Sequence, residues 1–214
     1  MNRLKLNHEI ELGYPTKDCA GVDEVGRGCI AGPVCAAAVV LPEIIDLEAD
    51  PWLIKITDSK RLSEAQREML FPKIKAWAKR FSIAYASVEE IEKLNIYHAS
   101  YLAMERALAD VSPQVALIDG KALPKAKNCE LKAVIKGDLN CLSIGCASIL
   151  AKVARDRLMI EFDVRYPDYG FRSHKGYPTV QHQKALKTHG VLSIHRKGFG
   201  PVKTALTHQT EARI

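Results

Sequence analysis

Hydrophobic and polar positions alternate along this chain with periods that change from segment to segment, and each period predicts an element. The unbroken apolar run from Val34 to Leu41 reads as a buried strand, and Ala20 to Asp23 as the end of another. Gly26, Gly28, Gly32 and Pro33 lie between them and predict a tight turn joining a hairpin-like pair. Phe81 to Val88 alternates like a strand, with Phe81, Ile83 and Tyr85 on one face. Val115 to Ile118 and Leu131 to Ile135 are short apolar runs that end at Asp119-Gly120 and near Gly137-Asp138. A helical period occupies Ile96 to Leu108 and Leu142 to about Phe162. Another helical run extends to about Arg80 behind a capping box of Ser63 and Gln66. Pro42 to Pro51 reads as a long loop, and no repeat or flexible linker divides the chain. The expectation is one α/β domain over 1–214 on a mixed sheet, with an N-terminal extension over about 1–17 and a helical, basic C-terminal segment over about 179–214.

Composition narrows the class. The 214 residues are 47% hydrophobic and 26% charged, too apolar for a disordered chain. The longest apolar run is far short of the roughly 18–20 residues a spanning helix needs. Arg3, Lys5, His8, Glu9 and Glu11 break up the first dozen residues, so no signal-peptide core is legible and a cytoplasmic location is expected. Six cysteines lie mostly in apolar surroundings, without CxxC or zinc-type spacing, and read as reduced core thiols. The net charge of +6 permits a polyanionic partner without requiring one. Arg165, Arg172, His174, Lys175, His182, Lys184, Lys187, His189, His195, Arg196, Lys197 and Lys203 are interleaved in the last third with Tyr166, Tyr169, Phe171, Tyr177 and Phe199, the composition of a nucleic-acid surface.

The acidic residues carry the chemistry. Asp23 and Glu24 close the first strand, Asp119 closes another, and Asp138 follows Val134-Ile135 closely. Strand ends are where α/β sheets build ligand sites. If these strands are neighbours, the carboxylates converge, and like charges stay ionised together only beside a cation. Oxygen donors of this kind suit Mg²⁺ or Mn²⁺, and a pair of such ions suits in-line phosphodiester cleavage. Successive strand residues face opposite ways, so Asp23 reads as the central ligand and Glu24 as a contributor from the strand edge. The competing reading makes each Asp a turn or cap residue. Gly26 to Ala31 also fits the dinucleotide pattern GxGxxA, but Pro33 and a β-branched run follow where a helix is needed, and two carboxylates precede it. Glycines flanking Arg27 instead let backbone approach a phosphate or sugar hydroxyl closely.

The order of motifs resembles bacterial ribonuclease HII. It rests on Gly21-Val22-Asp23-Glu24-Val25-Gly26-Arg27-Gly28, Ala31-Gly32-Pro33-Val34, Thr57-Asp58-Ser59-Lys60, Ile118-Asp119-Gly120, Lys136-Gly137-Asp138, the run from Ala147 to Arg157, and His174-Lys175-Gly176-Tyr177. The resemblance spans about Cys19 to Val202. It implies a ribonuclease H-like fold with a mixed five-stranded sheet flanked by helices. It also implies cleavage of the RNA strand of RNA/DNA hybrids and of single ribonucleotides embedded in duplex DNA, with Mn²⁺ or Mg²⁺ as cofactor. The resemblance further implies that the cut falls 5′ of the ribonucleotide and leaves a 3′-hydroxyl and a 5′-phosphate. By the same resemblance Asp23, Glu24, Asp119 and Asp138 are the catalytic, metal-binding carboxylates, and Gly26, Arg27 and Gly28 read the 2′-hydroxyl, the group that separates RNA from DNA. Tyr177 packs on the adjoining sugar, Ser59, Lys60, Ser148 and Lys152 are candidate phosphate contacts, and Asp156 is a supporting residue, with a salt bridge to an Arg as its plainer role. No membrane partner is implied, and the expected state is a monomer. Two alternatives stay open: a same-fold nuclease acting on DNA, and a binding module whose carboxylates are caps. A Ser or Cys hydrolase lacks its framework here.

Overall fold

The computed structural model describes residues 13–14 and 18–211, so the expected extension over 1–17 lies, apart from Gly13 and Tyr14, outside the described residues. Five strands form one sheet: β1 (Cys19–Val25), β2 (Val34–Val40), β3 (Arg80–Ala86), β4 (Val115–Asp119) and β5 (Glu130–Val134), in the order β3-β2-β1-β4-β5. β1 pairs antiparallel with β2 and β2 with β3, whereas β1–β4 and β4–β5 are parallel. The sheet is mixed, as expected. The helices are α1 (Glu64–Trp77), α2 (Val88–Val111), α3 (Gly137–Asn140), α4 (Leu142–Arg165), α5 (Phe171–His174), α6 (Val180–His189) and α7 (Gly200–Glu211).

The sheet is covered on both faces, which is why β2 reads as a continuous apolar run. Its residues Cys35, Ala37 and Val39 join Leu70 and Ile74 of α1 and Cys146, Ile149 and Leu150 of α4 in one core. Val34, Ala36, Ala38 and Val40 join Ala103, Met104 and Ala107 of α2 in the other. The start of α4 lies directly on β1: a Cβ on Gly21 would stand 2.2 Å from the Ile144 amide nitrogen. That close approach carries Ser148, about one turn further on, towards the end of β1 where Asp23 lies. No helix among the described residues is long and apolar enough to cross a membrane.

Three sequence expectations need correction. Residues 26–33 are not a tight turn. They leave the sheet and pair with the C-terminal segment, Ile30 N–H donating to Gly176 O at 2.9 Å and Gly32 N–H to Ile194 O at 2.8 Å. The first helix stops at Trp77 rather than Arg80, because Ala78 turns extended and Lys79 N–H is taken by Val40 O in the sheet. The second begins at Val88, behind a capping box of Ser87 and Glu90. It breaks at Asn95 (φ 65°) and restarts at the expected Ile96, with the Asn95 side chain accepting from the amides of Tyr97 and His98.

The basic, aromatic C-terminal segment divides in two: Arg165, Arg172, Lys184, Lys187, His189, Lys197 and Lys203 are exposed, as a charged surface requires, whereas its aromatic and histidine part is withdrawn from solvent. Tyr169, Phe171, His174, Lys175, His182, His195 and Arg196 are all buried. Phe171 and Tyr169 stack with centroids 5.5 Å apart, and His174 and His182 stack at 4.2 Å. The hydrogen bonds fix neutral imidazole tautomers. Leu192 N–H donates to His195 Nδ1, leaving the His195 Nε2–H to donate to His182 Nε2 at 3.1 Å; the His182 Nδ1–H then donates to Tyr177 O at 2.9 Å. Burial pushes His182 down to about 4 and His195 to about 3, so both are neutral at physiological pH.

Candidate active site

The parallel pairing of β1, β4 and β5 puts their C-terminal ends on one edge. Val22 is in register with Ile118, and Asp119 with Val134, so Asp23 and Asp119 emerge side by side. Asp138 follows β5 on the first turn of α3, after Lys136 turns the chain in a left-handed conformation. The topology thus brings Asp23, Glu24, Asp119 and Asp138 to one edge from distant positions in sequence.

Each carboxylate is held. The Asp23 side chain is almost wholly buried on the α4 face; its Oδ1 accepts from Glu24 N–H at 2.7 Å, and Ser148 hydrogen-bonds to it. Glu24, from the neighbouring position, pairs with Arg27 at 3.3 Å. Asp119 Oδ1 accepts from Gly137 N–H at 2.7 Å. Burial raises Asp23 well above the usual carboxylate range, and the charges of Glu24 and Asp119 raise it further. Burial also raises Glu24, against the opposing charge of Arg27. Asp138 is raised by burial and then by Asp119 and Asp58, with Lys60 opposing. These groups repel one another, the condition a cation relieves. Among the described residues no three His, Cys, Asp or Glu side chains are already grouped around one point as a metal cage. The carboxylates therefore share an edge and a field without the closed cluster that convergence implies. Their chemistry is nonetheless that of a hard divalent ion's site: oxygen donors only, half-withdrawn from water and mutually destabilised.

The other candidates surround this edge. Ser59 and Ser148 are buried with hydroxyl oxygens 2.9 Å apart, so they brace Asp23 from behind. Lys60 is exposed; burial alone would lower it, but Asp58, Asp23 and Asp138 raise it on balance. It is a cation facing the carboxylates. Lys152 is engaged by Asp156 at 2.7 Å and lies 5.9 Å from the Tyr177 ring centre. Asp156 also faces Arg67 at 3.7 Å, so the plainer salt-bridge role is the one its contacts display. Arg67 in turn donates to Ser59 O at 2.9 Å, tying this buried pair to the Ser59–Ser148 brace.

Gly26 has φ +97°, and a Cβ there would meet Arg155 Nε at 2.2 Å, so only glycine fits. Arg27 and Gly28 are exposed, and a Cβ on Gly28 would meet only the Tyr177 ring, at 3.9 Å. A gap therefore separates the glycine strip from Tyr177. The residues that build its walls, Arg155 and Arg196, were not evident from sequence. An arginine falling among the buried positions of α4 was the available signal for Arg155; Arg196 offered none. Tyr97 and Tyr101 were also missed: their hydroxyls are 2.7 Å apart, and the Arg27 guanidinium lies over the Tyr97 ring at 5.7 Å.

A family model described as Ribonuclease HII matches residues 20–202. The chain belongs to the ribonuclease HII family. It is 49% identical over 189 residues to a ribonuclease HII of Marinomonas sp. (strain MWYL1), covering 87% of this chain and 92% of the relative. It is 51% identical over 193 residues to that of Chromobacterium violaceum, covering 89% and 94%. In fold it is similar to ribonuclease H2 from Pyrococcus horikoshii OT3, with a TM-score of 0.74 at 24% identity, covering 90% of this chain and 99% of that one. It is also similar to Bst-RNase HIII in complex with Mn²⁺, with a TM-score of 0.70 at 16% identity, covering 90% and 70%. The mixed sheet and flanking helices are those of the ribonuclease H-like fold. The chain is accordingly a ribonuclease H of type 2, an endonuclease of a divalent-metal-dependent family whose activity implies RNA/DNA hybrid substrates.

Proposed function

We propose that this enzyme, besides cutting the RNA strand of hybrids, cleaves 5′ of single ribonucleotides embedded in duplex DNA, leaving a 3′-hydroxyl and a 5′-phosphate. The observation that carries this reading is the carboxylate edge itself: Asp23 raised by burial and by its neighbours Glu24 and Asp119, beside a glycine strip that faces Tyr177 across a gap. Asp23, Glu24, Asp119 and Asp138 would hold two Mg²⁺ or Mn²⁺ ions. When bound, such a pair supplies an activated water and offsets the charge on the phosphate and the leaving 3′-oxygen.

The chain's own residues supply the rest. Ser148, braced by Ser59, orients Asp23. Gly26, Arg27 and Gly28 admit the 2′-hydroxyl to close backbone contact, and Tyr177 packs on the adjoining sugar. Lys60, facing the carboxylates, meets the phosphate backbone, and Lys152 with its partner Asp156 supports the Tyr177 side of the gap. Glu24, were it to hold a cation, would leave Arg27 free to face the substrate. We read the chain as one monomeric domain. Five of its six cysteines are buried in the core, which supports a reducing, cytoplasmic setting.

The test is a duplex carrying one ribonucleotide, incubated with the purified protein in Mg²⁺, in Mn²⁺ and in chelator. Cleavage 5′ of the ribonucleotide in either metal and none in chelator is expected. Equal cutting of an all-DNA duplex, or cutting in chelator, would overturn the reading.

A further inference from the structure

Two arginines lie wholly buried directly behind the Gly26–Gly28 strip, and the hydrogen bonds of both go to backbone carbonyls rather than carboxylates. Arg155 donates through Nε to Pro33 O (2.9 Å), through Nη1 to Lys175 O (2.8 Å) and through Nη2 to Ala31 O (3.0 Å). Arg196 donates through Nε to Gly32 O (2.8 Å) and through Nη1 to Cys29 O (2.7 Å) and Arg27 O (3.2 Å). A buried guanidinium without a counter-ion is costly, so a fold that keeps two side by side needs what they hold. What they hold is the segment outside the sheet, whose carbonyls have no strand partner. A rigid, planar fork of donors fixes such carbonyls far more tightly than a flexible ammonium.

The same contacts join two parts of the substrate gap. Arg155 reaches both Ala31 O, on the glycine-strip side, and Lys175 O, two residues before Tyr177. Ile30 N–H donates to Gly176 O at 2.9 Å, and the Cys29 thiol faces Lys175 O at 3.7 Å. A Cβ on Gly176 would lie 2.8 Å from Ala31 O, so the two segments touch backbone to backbone. On the far side, the His195–His182 pair ends on Tyr177 O.

We propose that Arg155 and Arg196 are positioning residues for substrate specificity: by pinning the carbonyls of Arg27, Cys29, Ala31, Gly32, Pro33 and Lys175 they set the width of the gap between Gly28 and the Tyr177 ring. The inference rests on the proposed reading of that gap as the place where an embedded ribonucleotide is recognised. A long hybrid presents a 2′-hydroxyl in every register on its RNA strand and tolerates a looser gap. A single ribonucleotide in DNA presents one and does not.

The experiment compares the wild type with Arg196→Lys and Arg155→Lys, each keeping the charge but losing the fork. Steady-state kinetics are taken on a duplex with one ribonucleotide and on a long RNA/DNA hybrid. The expected result is a KM on the single-ribonucleotide duplex raised at least about tenfold, with a smaller change on the hybrid, so that the ratio of the two kcat/KM values falls. Equal loss on both substrates, in proportion to the folded fraction, would mean a purely structural role and overturn the inference. Hydrogen exchange on the wild type keeps the test decisive if both variants misfold. Amides of Ile30 and Gly32 exchanging as slowly as those of β1 support the pinning, and exchange at the rate of open loops overturns it. A wild type that cuts the hybrid but not the single ribonucleotide defeats the functional reading instead, while the exchange rates still judge the pinning.

Discussion

The carboxylate edge of the sheet and the C-terminal basic segment are both rich in ionisable groups, and the fold treats them in opposite ways. At the edge, parallel strands deliver Asp23 and Asp119 side by side, and burial with mutual repulsion raises Asp23. In the C-terminal segment, His182 and His195 are buried as neutral rings, and the guanidiniums of Arg155 of α4 and Arg196 are hydrogen-bonded to backbone carbonyls. The first region keeps an electrostatic debt that a cation can settle. The second carries its cost inside the fold, where backbone carbonyls take most of the guanidinium donors and Arg196 Nη2 is left without a hydrogen-bond partner among the described residues, and it is a scaffold. Charge in a sequence therefore marks chemistry where the fold gathers it at an edge that a cation can reach.

The largest effect separating the two is Asp119→Asn. It is expected to lower cleavage by at least about 10³-fold, some 4 kcal/mol of transition-state stabilisation. The variant should unfold at the same temperature or higher, since one member of a repelling group loses its charge. A thermal scan beside a cleavage assay checks both, and near-normal turnover would remove Asp119 from the site.

Phe171→Ala attacks the other region. Phe171 is fully buried against Tyr169, His174 and His182, and its truncation should cost about 3–5 kcal/mol in denaturant unfolding. A loss under about 1 kcal/mol would mean that the aromatic and histidine cluster is not a packed core.

Acid tests the same cluster with no mutation. The folded-state values of His182 and His195, about 4 and about 3, lie below the ordinary 6.5. The unfolded chain therefore binds protons that the native state refuses. The stability from these neutral rings is fully present above pH 6.5 and is lost as pH falls from there towards 4. The slope is up to about 1.4 kcal/mol per pH unit for each histidine. Unfolding free energy measured at pH 7, 6 and 5 should decline accordingly, and replacing His195 with Gln should flatten the decline.

The smallest effect expected is that of Ser148→Ala, which removes the hydroxyl shared by Asp23 and Ser59. A stability change of about 1 kcal/mol is expected, with activity reduced by about tenfold or less. An unchanged kcat would show that Asp23 is held well enough by the Glu24 amide alone.

The strand ends were legible because apolar runs stop at Asp23 and Asp119 and a third stops just before Asp138, and the parallel neighbourhood of β1, β4 and β5 does the rest. The capping box at Ser63 was read, whereas its twin at Ser87 was overlooked although the spacing is the same. Asn95 breaks α2 through a single left-handed residue, which no periodicity reveals. The excursion of residues 26–33 depends on carbonyls meeting Arg155 and Arg196 from more than a hundred residues away, and backbone partners leave no mark on side-chain pattern. For the same reason the C-terminal histidines looked like surface: their partners are each other and main-chain atoms.

The account depends most on the four carboxylates sharing divalent ions at one sheet edge. Crystals of the protein soaked in Mn²⁺ and measured at the manganese absorption edge test this directly. Anomalous peaks bounded by Asp23 and Asp119, with Glu24 or Asp138 completing the coordination, and their loss in Asp119→Asn, are the predicted result. Manganese bound only elsewhere on the surface, in a protein that still cleaves hybrids, would contradict it.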